Sequence, residues 1–285
     1  MSRRIIRVFP ERTSYTPDDD MVFIGEPPGL IIPPHDEVHI SCTFTWDETY
    51  CEELLYQWQA FIDKPILLGG PAYNSPCDTF IPGLYVKRGI TFTSRGCNNH
   101  CSFCLVPERE GCLRELLITE GNIIQDNNFL QTSREHKDKV FEMLKTQRGI
   151  CFKGGLQNNL IDDHFITAIA SLRIAELWLA CDTDGGIPGF VAAANKLTKA
   201  GFNREKIKCY ALIGDDMEEN ENRLQEIYKA GAMPFAQLYQ PPSDTDAFSK
   251  KEYNSTWKKF HRQWSRPAAI IAHCENGTKF EDYNT

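Results

Sequence analysis

The chain has 285 residues, 41% of them hydrophobic, and a formal net charge of −8. That is enough apolar material for one large or two small packed domains, yet no apolar run approaches the roughly 18 residues of a membrane span. The acidic balance argues against a broad nucleic-acid surface. Eleven cysteines without framework spacing, in so long a chain, predict reduced thiols in a cytoplasmic compartment and no disulfide scaffold.

The amino terminus, Met1 to Arg7, has arginines but no apolar run behind them, so it does not read as a secretory signal. Residues 1–35 are rich in proline, aspartate and glycine (Thr16-Pro17-Asp18-Asp19-Asp20, Pro27-Pro28-Gly29, Pro33-Pro34) and predict irregular structure. A compact βαβ pattern follows. Residues 37–44 read as a strand, 48–61 as a helix and 65–68 as a second strand ending at Gly69-Gly70-Pro71. Together, residues 1–84 form an expected amino-terminal region.

From Gly89 onward six strand candidates alternate with amphipathic helical segments: 90–93, 122–125, 149–152, 176–180, 207–213 and 235–239. The helical segments place Val140, Phe141 and Leu144 on one face, then Phe165, Ile166 and Ile169, then Leu224, Ile227 and Tyr228. This alternation predicts an α/β protein, a partial (β/α)6 TIM-like barrel over residues 85–242 with a small N-terminal βαβ unit. Every strand candidate runs into a polar or glycine-bearing end, where parallel α/β folds bind ligands. The second ends in Asp126-Asn127-Asn128, the third in Lys153-Gly154-Gly155-Leu156-Gln157-Asn158, the fourth in Cys181-Asp182-Thr183-Asp184, the fifth in Gly214-Asp215-Asp216, the sixth in Gln240-Pro241-Pro242.

The first strand candidate ends in Gly96-Cys97-Asn98-Asn99-His100-Cys101-Ser102-Phe103-Cys104, a C-x3-C-x2-C loop. Thiolates are soft ligands suited to iron–sulfur clusters and zinc, and three on one loop leave a coordination position open. A zinc-binding interaction module is the rival reading, with His100 or Cys112 as fourth ligand, but the paired half-sites usual for zinc are missing. Cys42, Cys51, Cys77, Cys112, Cys151, Cys181, Cys209 and Cys274 are isolated, so no second cluster is expected, and most read as small buried hydrophobes.

This loop, with an aromatic residue before its last cysteine, resembles the signature of the radical S-adenosylmethionine (SAM) enzymes. The resemblance covers residues 85–242. It implies that Cys97, Cys101 and Cys104 bind a [4Fe-4S] cluster whose open iron is chelated by SAM. One electron, from a reductant such as flavodoxin or ferredoxin, would cleave SAM to methionine and a 5′-deoxyadenosyl radical that abstracts hydrogen from an unidentified substrate. It further implies that Phe103 lies near the adenine and that Asp182 contacts SAM. Gly154 and Gly155, or Asn127 and Asn128 at the second strand end, would meet its methionine part, and Gly214 marks the fifth-strand motif. Cys181, at a strand end expected to face the radical, is a candidate hydrogen donor. Residues 177–202 are similar to a stretch of the cobalamin-associated branch, and Leu67-Leu68-Gly69-Gly70-Pro71 resembles the last strand of its cobalamin-binding domain. The unit is short and has no D-x-H-x-x-G motif, so it is expected to bind no cobalamin. A cobalamin-dependent methyltransferase is the second chemistry.

A carboxy-terminal helical extension, 243–285, is expected last. Between Ser249 and Arg266 lie Lys250, Lys251, Lys258, Lys259, Arg262 and Arg266 against the single acid Glu252, with Trp257, His261 and Trp264 at helical spacing beside Phe260. Packing of that aromatic face on the barrel is favoured over a basic, aromatic nucleic-acid surface.

Overall fold

The computed structural model describes residues 3–29, 32–73, 79–240 and 251–276. They divide into two compact units, the described residues up to Gly121 and those from Asn122 onward. The sequence-based boundary near residue 84 therefore differs from the structural one. The reason lies in what the segment after residue 79 packs against. Arg7 reaches the carbonyls of Gly83 and Leu84 at 3.4 and 3.3 Å, and the Lys87 amide donates to Tyr15 O.

The first unit opens with β1 (Ile5–Phe9) and β2 (Val22–Ile24), where composition alone predicts irregular structure. β1 is strand material interrupted by one charge, and Arg7 is buried on it, ion-paired to Asp19. A buried guanidinium is tolerable only with such partners. Next come β3 (Glu37–Ser41), α1 (Glu48–Phe61) and β4 (Ile66–Gly69), the predicted βαβ. They are the centre and edge of a larger parallel sheet of order β2-β1-β3-β4. α1 covers one face, with Cys51, Leu54 and Trp58 fully buried against Ile6, Val8, Val38 and Ile40. Burial of Leu54 alone contributes roughly 1.5–3 kcal/mol. The unit continues through β5 (Ile90–Thr91), β6 (Ser94–Arg95), α2 (Val106–Glu110) and β7 (Arg114–Glu115), with β6 and β7 paired antiparallel.

The second unit runs β8 (Ile123–Ile124), α3 (Arg134–Leu144), β9 (Ile150–Leu156), α4 (Asp163–Ala170), β10 (Ile174–Ala180), α5 (Ile187–Lys199), β11 (Ile207–Ile213), α6 (Met217–Lys229) and β12 (Met233–Leu238). Helices α7 (Ser255–Trp264) and α8 (Pro267–Asn276) follow. Local chemistry sets the helix starts: Ser133, Asp162, Asp216 and Asn254 each accept a hydrogen bond from the backbone N–H three residues on. The unit's five strands, in the order β12-β11-β10-β9-β8, belong to a six-stranded parallel sheet whose remaining strand is β5. Among the described residues it does not close into a barrel. Leu177, Leu179, Ile207 and Cys209 are fully buried on the helix-covered face, whereas Glu176, Lys208 and Tyr210, one residue out of phase, are half-buried on the other.

Trp264 and Phe260 of α7 are fully buried, and the Trp264 indole donates to Glu221 at 2.6 Å. Trp257 and His261 are half-buried, while Lys258 and Lys259 are exposed. Ser249, Lys250, Pro241, Pro242 and Cys77 lie outside the described residues. No helix among the described residues is long and apolar enough to cross a membrane.

Candidate functional site

Two groups of sequence-predicted residues are built in different ways. The cysteine loop belongs to the first unit. The strand is shorter than predicted there, and the chain turns after Thr91 into the β6–β7 hairpin, which pins both ends of the loop. The Cys97 amide donates to Gly111 O at 3.2 Å, the Leu113 amide to the Asn98 side chain at 3.0 Å and the Leu116 amide to Thr93 O at 2.8 Å. Gly96, at φ +81°, is required because a Cβ there would lie 2.3 Å from the Cys112 carbonyl oxygen. Glu110, at the end of α2, accepts from Arg95 at 2.8 Å and approaches Arg114 at 3.6 Å, tying the helix after the loop to the hairpin before it.

Within the loop, the Cys104 amide donates to Cys101 O at 3.0 Å, a tight turn that holds the last two cysteines together in the chain. The Asn99 amide donates to the Cys97 sulfur at 3.4 Å, a contact suited to a thiolate. Cys97 is half-buried, Cys101, Cys104 and Cys112 are exposed, and no described cysteine is in a disulfide. Phe103 is half-buried on the same turn. The donor set fits an iron–sulfur cluster in kind and number. The side chains themselves do not converge: among the described residues, no group of three or more His, Cys, Asp or Glu side chains could hold a metal ion. The same observation applies to a zinc site with His100 or Cys112.

The second group lies along the carboxyl ends of β8 to β11, and neighbouring ends are stitched by single side chains. Asn128 Nδ2 donates to Gln157 Oε1 at 2.7 Å, joining β8 to the residue after β9. Asn158 Nδ2 donates to Ala180 O at 2.8 Å, joining that loop to β10. Asp182 Oδ1 accepts from the Leu212 amide at 3.0 Å, joining β10 to β11. Behind them Arg223 of α6, almost fully buried, donates to Asp184 at 2.6 Å, to Leu212 O at 2.7 Å and to Asn220. Arg223 carries no local motif, so the spacing of the sequence does not mark it; Gln157 and Asn158 stand in the polar end of the third strand candidate, but nothing local marks their partners. The partners of all three lie 22 to 39 residues away, apart from the short-range contacts of Arg223.

The predicted glycines separate by role. Gly154 and Gly155 are inside β9, not beyond it, at an irregularity where three residues of β9 face one of β10: Leu177 pairs with Phe152 and Leu179 with Leu156. A Cβ at Gly154 would lie 1.7 Å from the Asp126 carbonyl oxygen, so this glycine is there for its own neighbouring strand. Gly155, at φ +102°, has nothing within 4 Å in that direction and presents open backbone. Gly214, at φ +131°, is covered by the Tyr253 ring, whose hydroxyl would lie 2.4 Å from a Cβ there. Its glycine identity is explained by that ring, not by open space for a ligand. Asn127 is half-buried and Asn128 buried at the end of β8.

Alternation corrects the expectation for Cys181. It shares the helix-covered face with Leu177 and Leu179, is 2% exposed, and its thiol contacts Thr183 O at 3.8 Å. Burial pushes the thiol up to about 12, helped by Asp182 and Asp184 and opposed by Arg223. It does not face an open strand end. Asp182 takes the other phase: burial raises its carboxyl to about 6, although the Leu212 amide and Arg223 favour the charged form.

Compared with models of protein families and with curated proteins, the chain matches none.

Proposed function

We propose that the protein is a radical SAM enzyme, and that its six-stranded parallel sheet is a partial (β/α)6 barrel of that kind. The observation that carries the reading is the C-x3-C-x2-C loop, which follows β5 of a parallel sheet by way of the short strand β6. Cys97, Cys101 and Cys104 would hold a [4Fe-4S] cluster, and Asp182, Gly155 and Asn127 would contact SAM. The cluster with SAM bound supplies one-electron cleavage to methionine and a 5′-deoxyadenosyl radical.

The chain's own residues orient and fasten. Glu110, held by Arg95 and Arg114, fixes both ends of the cysteine loop. Asp182 is fastened through Oδ1 to the Leu212 amide, which fixes the orientation of its carboxylate. Near pH 6 that carboxyl exchanges its proton; at neutral pH its charged form is suited to accept from ligand hydroxyls or pair with an ammonium. Open backbone at Gly155 allows close approach of a ligand.

Anaerobic reconstitution tests the reading. The native protein is expected to take up about four irons and four sulfides, and, once reduced with SAM present, to release 5′-deoxyadenosine. Combined replacement of Cys97, Cys101 and Cys104 by alanine should abolish both. Iron retained by that variant, or tightly held zinc in the native protein, sinks the proposal.

A further inference from the structure

The second sheet has a pocket of about 190 Å³ that the proposed chemistry does not use. It lies on the face opposite α5 and α6, toward the amino-terminal ends of β10, β11 and β12, away from the stitched strand ends. Trp178, Met233, Phe235 and Pro267 form apolar walls, and Glu176 and Lys208 supply the ionic groups. The register explains the gathering: Trp178 pairs with Lys208, and Lys208 with Met233, so all three side chains leave the sheet on the same side. Trp178 is held by stacking on Tyr210 at 4.3 Å and by Phe235 edge-on at 5.6 Å.

The two ionic groups of the pocket are engaged unequally among the described residues. Glu176 is engaged twice, accepting from the Trp178 indole at 2.8 Å and pairing with Lys153 at 3.2 Å. Burial works against its charge, but those two partners, with Lys208 further off, hold the carboxyl below the usual range. Lys208 makes no hydrogen bond or ion pair among the described residues. Glu176 is already paired with Lys153, so the Lys208 ammonium in the pocket has no carboxylate of its own among the described residues. A cavity of about 150 Å³ is large enough for a benzene ring, so the space here suits one ring or a branched chain of similar bulk.

We infer that this pocket binds a small organic monoanion, with an aromatic or bulky aliphatic body against Trp178 and Phe235 and a carboxylate on Lys208. Such a ligand pairs with that ammonium and places its apolar part out of water, which a simple inorganic anion or a neutral ring does only by half. The amino-terminal turn of α8, at Pro267, adds a favourable field for negative charge.

Isothermal titration of the intact protein with benzoate, benzyl alcohol and benzylammonium decides it. Benzoate should bind at least about tenfold more tightly than either isostere, the size expected for a charge-assisted hydrogen bond. Lys208→Met should erase that preference and Lys208→Arg should keep it, while Lys199→Met, exposed at the end of α5, should leave it untouched. Equal binding of the alcohol and benzoate to the native protein overturns the inference. So does absence of benzoate binding at millimolar concentration, or a preference that survives in Lys208→Met. The three-probe series on the native protein decides the question even if Lys208→Met does not fold.

Discussion

The cysteine loop and the stitched strand ends differ in how much of their geometry is already made. In the loop, the backbone is fastened at both ends but the three thiols are not gathered, and two of them are exposed. Along β8 to β11, by contrast, each neighbouring pair of strand ends is tied by a hydrogen bond that a side chain gives or accepts, with a buried arginine behind the last pair. A region whose ligand supplies the organising force can leave its donors loose, because metal binding itself contributes folding energy. A region that must orient a soft organic ligand has to be rigid beforehand.

The largest effect should come from Arg223→Met. It leaves Leu212 O and the buried Asn220 without their donor, at about 1–3 kcal/mol for each unsatisfied group, while the half-exposed Asp184 is rehydrated. Denaturant unfolding should show that loss; a change within about 0.5 kcal/mol would mean the strand ends do not depend on the arginine. Gly154→Ala comes next. Its Cβ meets backbone at 1.7 Å, so the loss should reach the top of the roughly 1–3 kcal/mol range for overpacked sites. Gly155→Ala meets open space and should lose only the roughly 1–2 kcal/mol of its unfavourable φ. If the two variants melt together, the separation of their roles is wrong.

Glu110→Gln should cost the global fold about 1 kcal/mol, since both arginines are partly exposed. Its visible effect should be local, as faster amide hydrogen exchange across residues 96–113 with the strand ends unchanged. Spread of the exchange to residues 150–182 would erase the contrast between the two regions. The smallest effect is a slope. Asp182 has a folded value of about 6, above the unfolded value of about 3.9, so the native state binds more protons in between. Its contribution is fully present below about pH 4 and is lost as pH rises through about 6. Asp182→Asn keeps an acceptor for Leu212 and should flatten this dependence, so the melting difference, variant minus native, should grow from pH 4 to 7. Parallel curves would count against a raised carboxyl.

What the sequence makes legible follows from the range of the interactions. Helix α1 is read at its full span of 48–61 and strand β11 at 207–213, because periodicity and caps are local. β1 and β2 are obscured: their five and three residues sit among prolines and aspartates, and their stability comes from parallel partners and from Asp19 meeting Arg7. β9 is read short because glycines signal a loop, whereas here they occupy an irregularity inside the strand. The cysteine spacing is visible in the chain. The partners of Gln157, Asn158 and Arg223 are not, since no short window contains both ends of those contacts.

Tyr253 closes over Gly214 and donates its hydroxyl to Tyr239 O at 2.6 Å. A glycine and a ring thirty-nine positions apart, counted from 214 to 253, therefore behave as one heritable unit. Any side chain at 214 evicts the ring and unfastens the approach to α7, so a lineage that gives up this glycine must also give up the tyrosine or reroute the return of the chain. Across diverging sequences of this fold the two positions should change together, and a sequence with tyrosine at 253 and a branched residue at 214 should be rare.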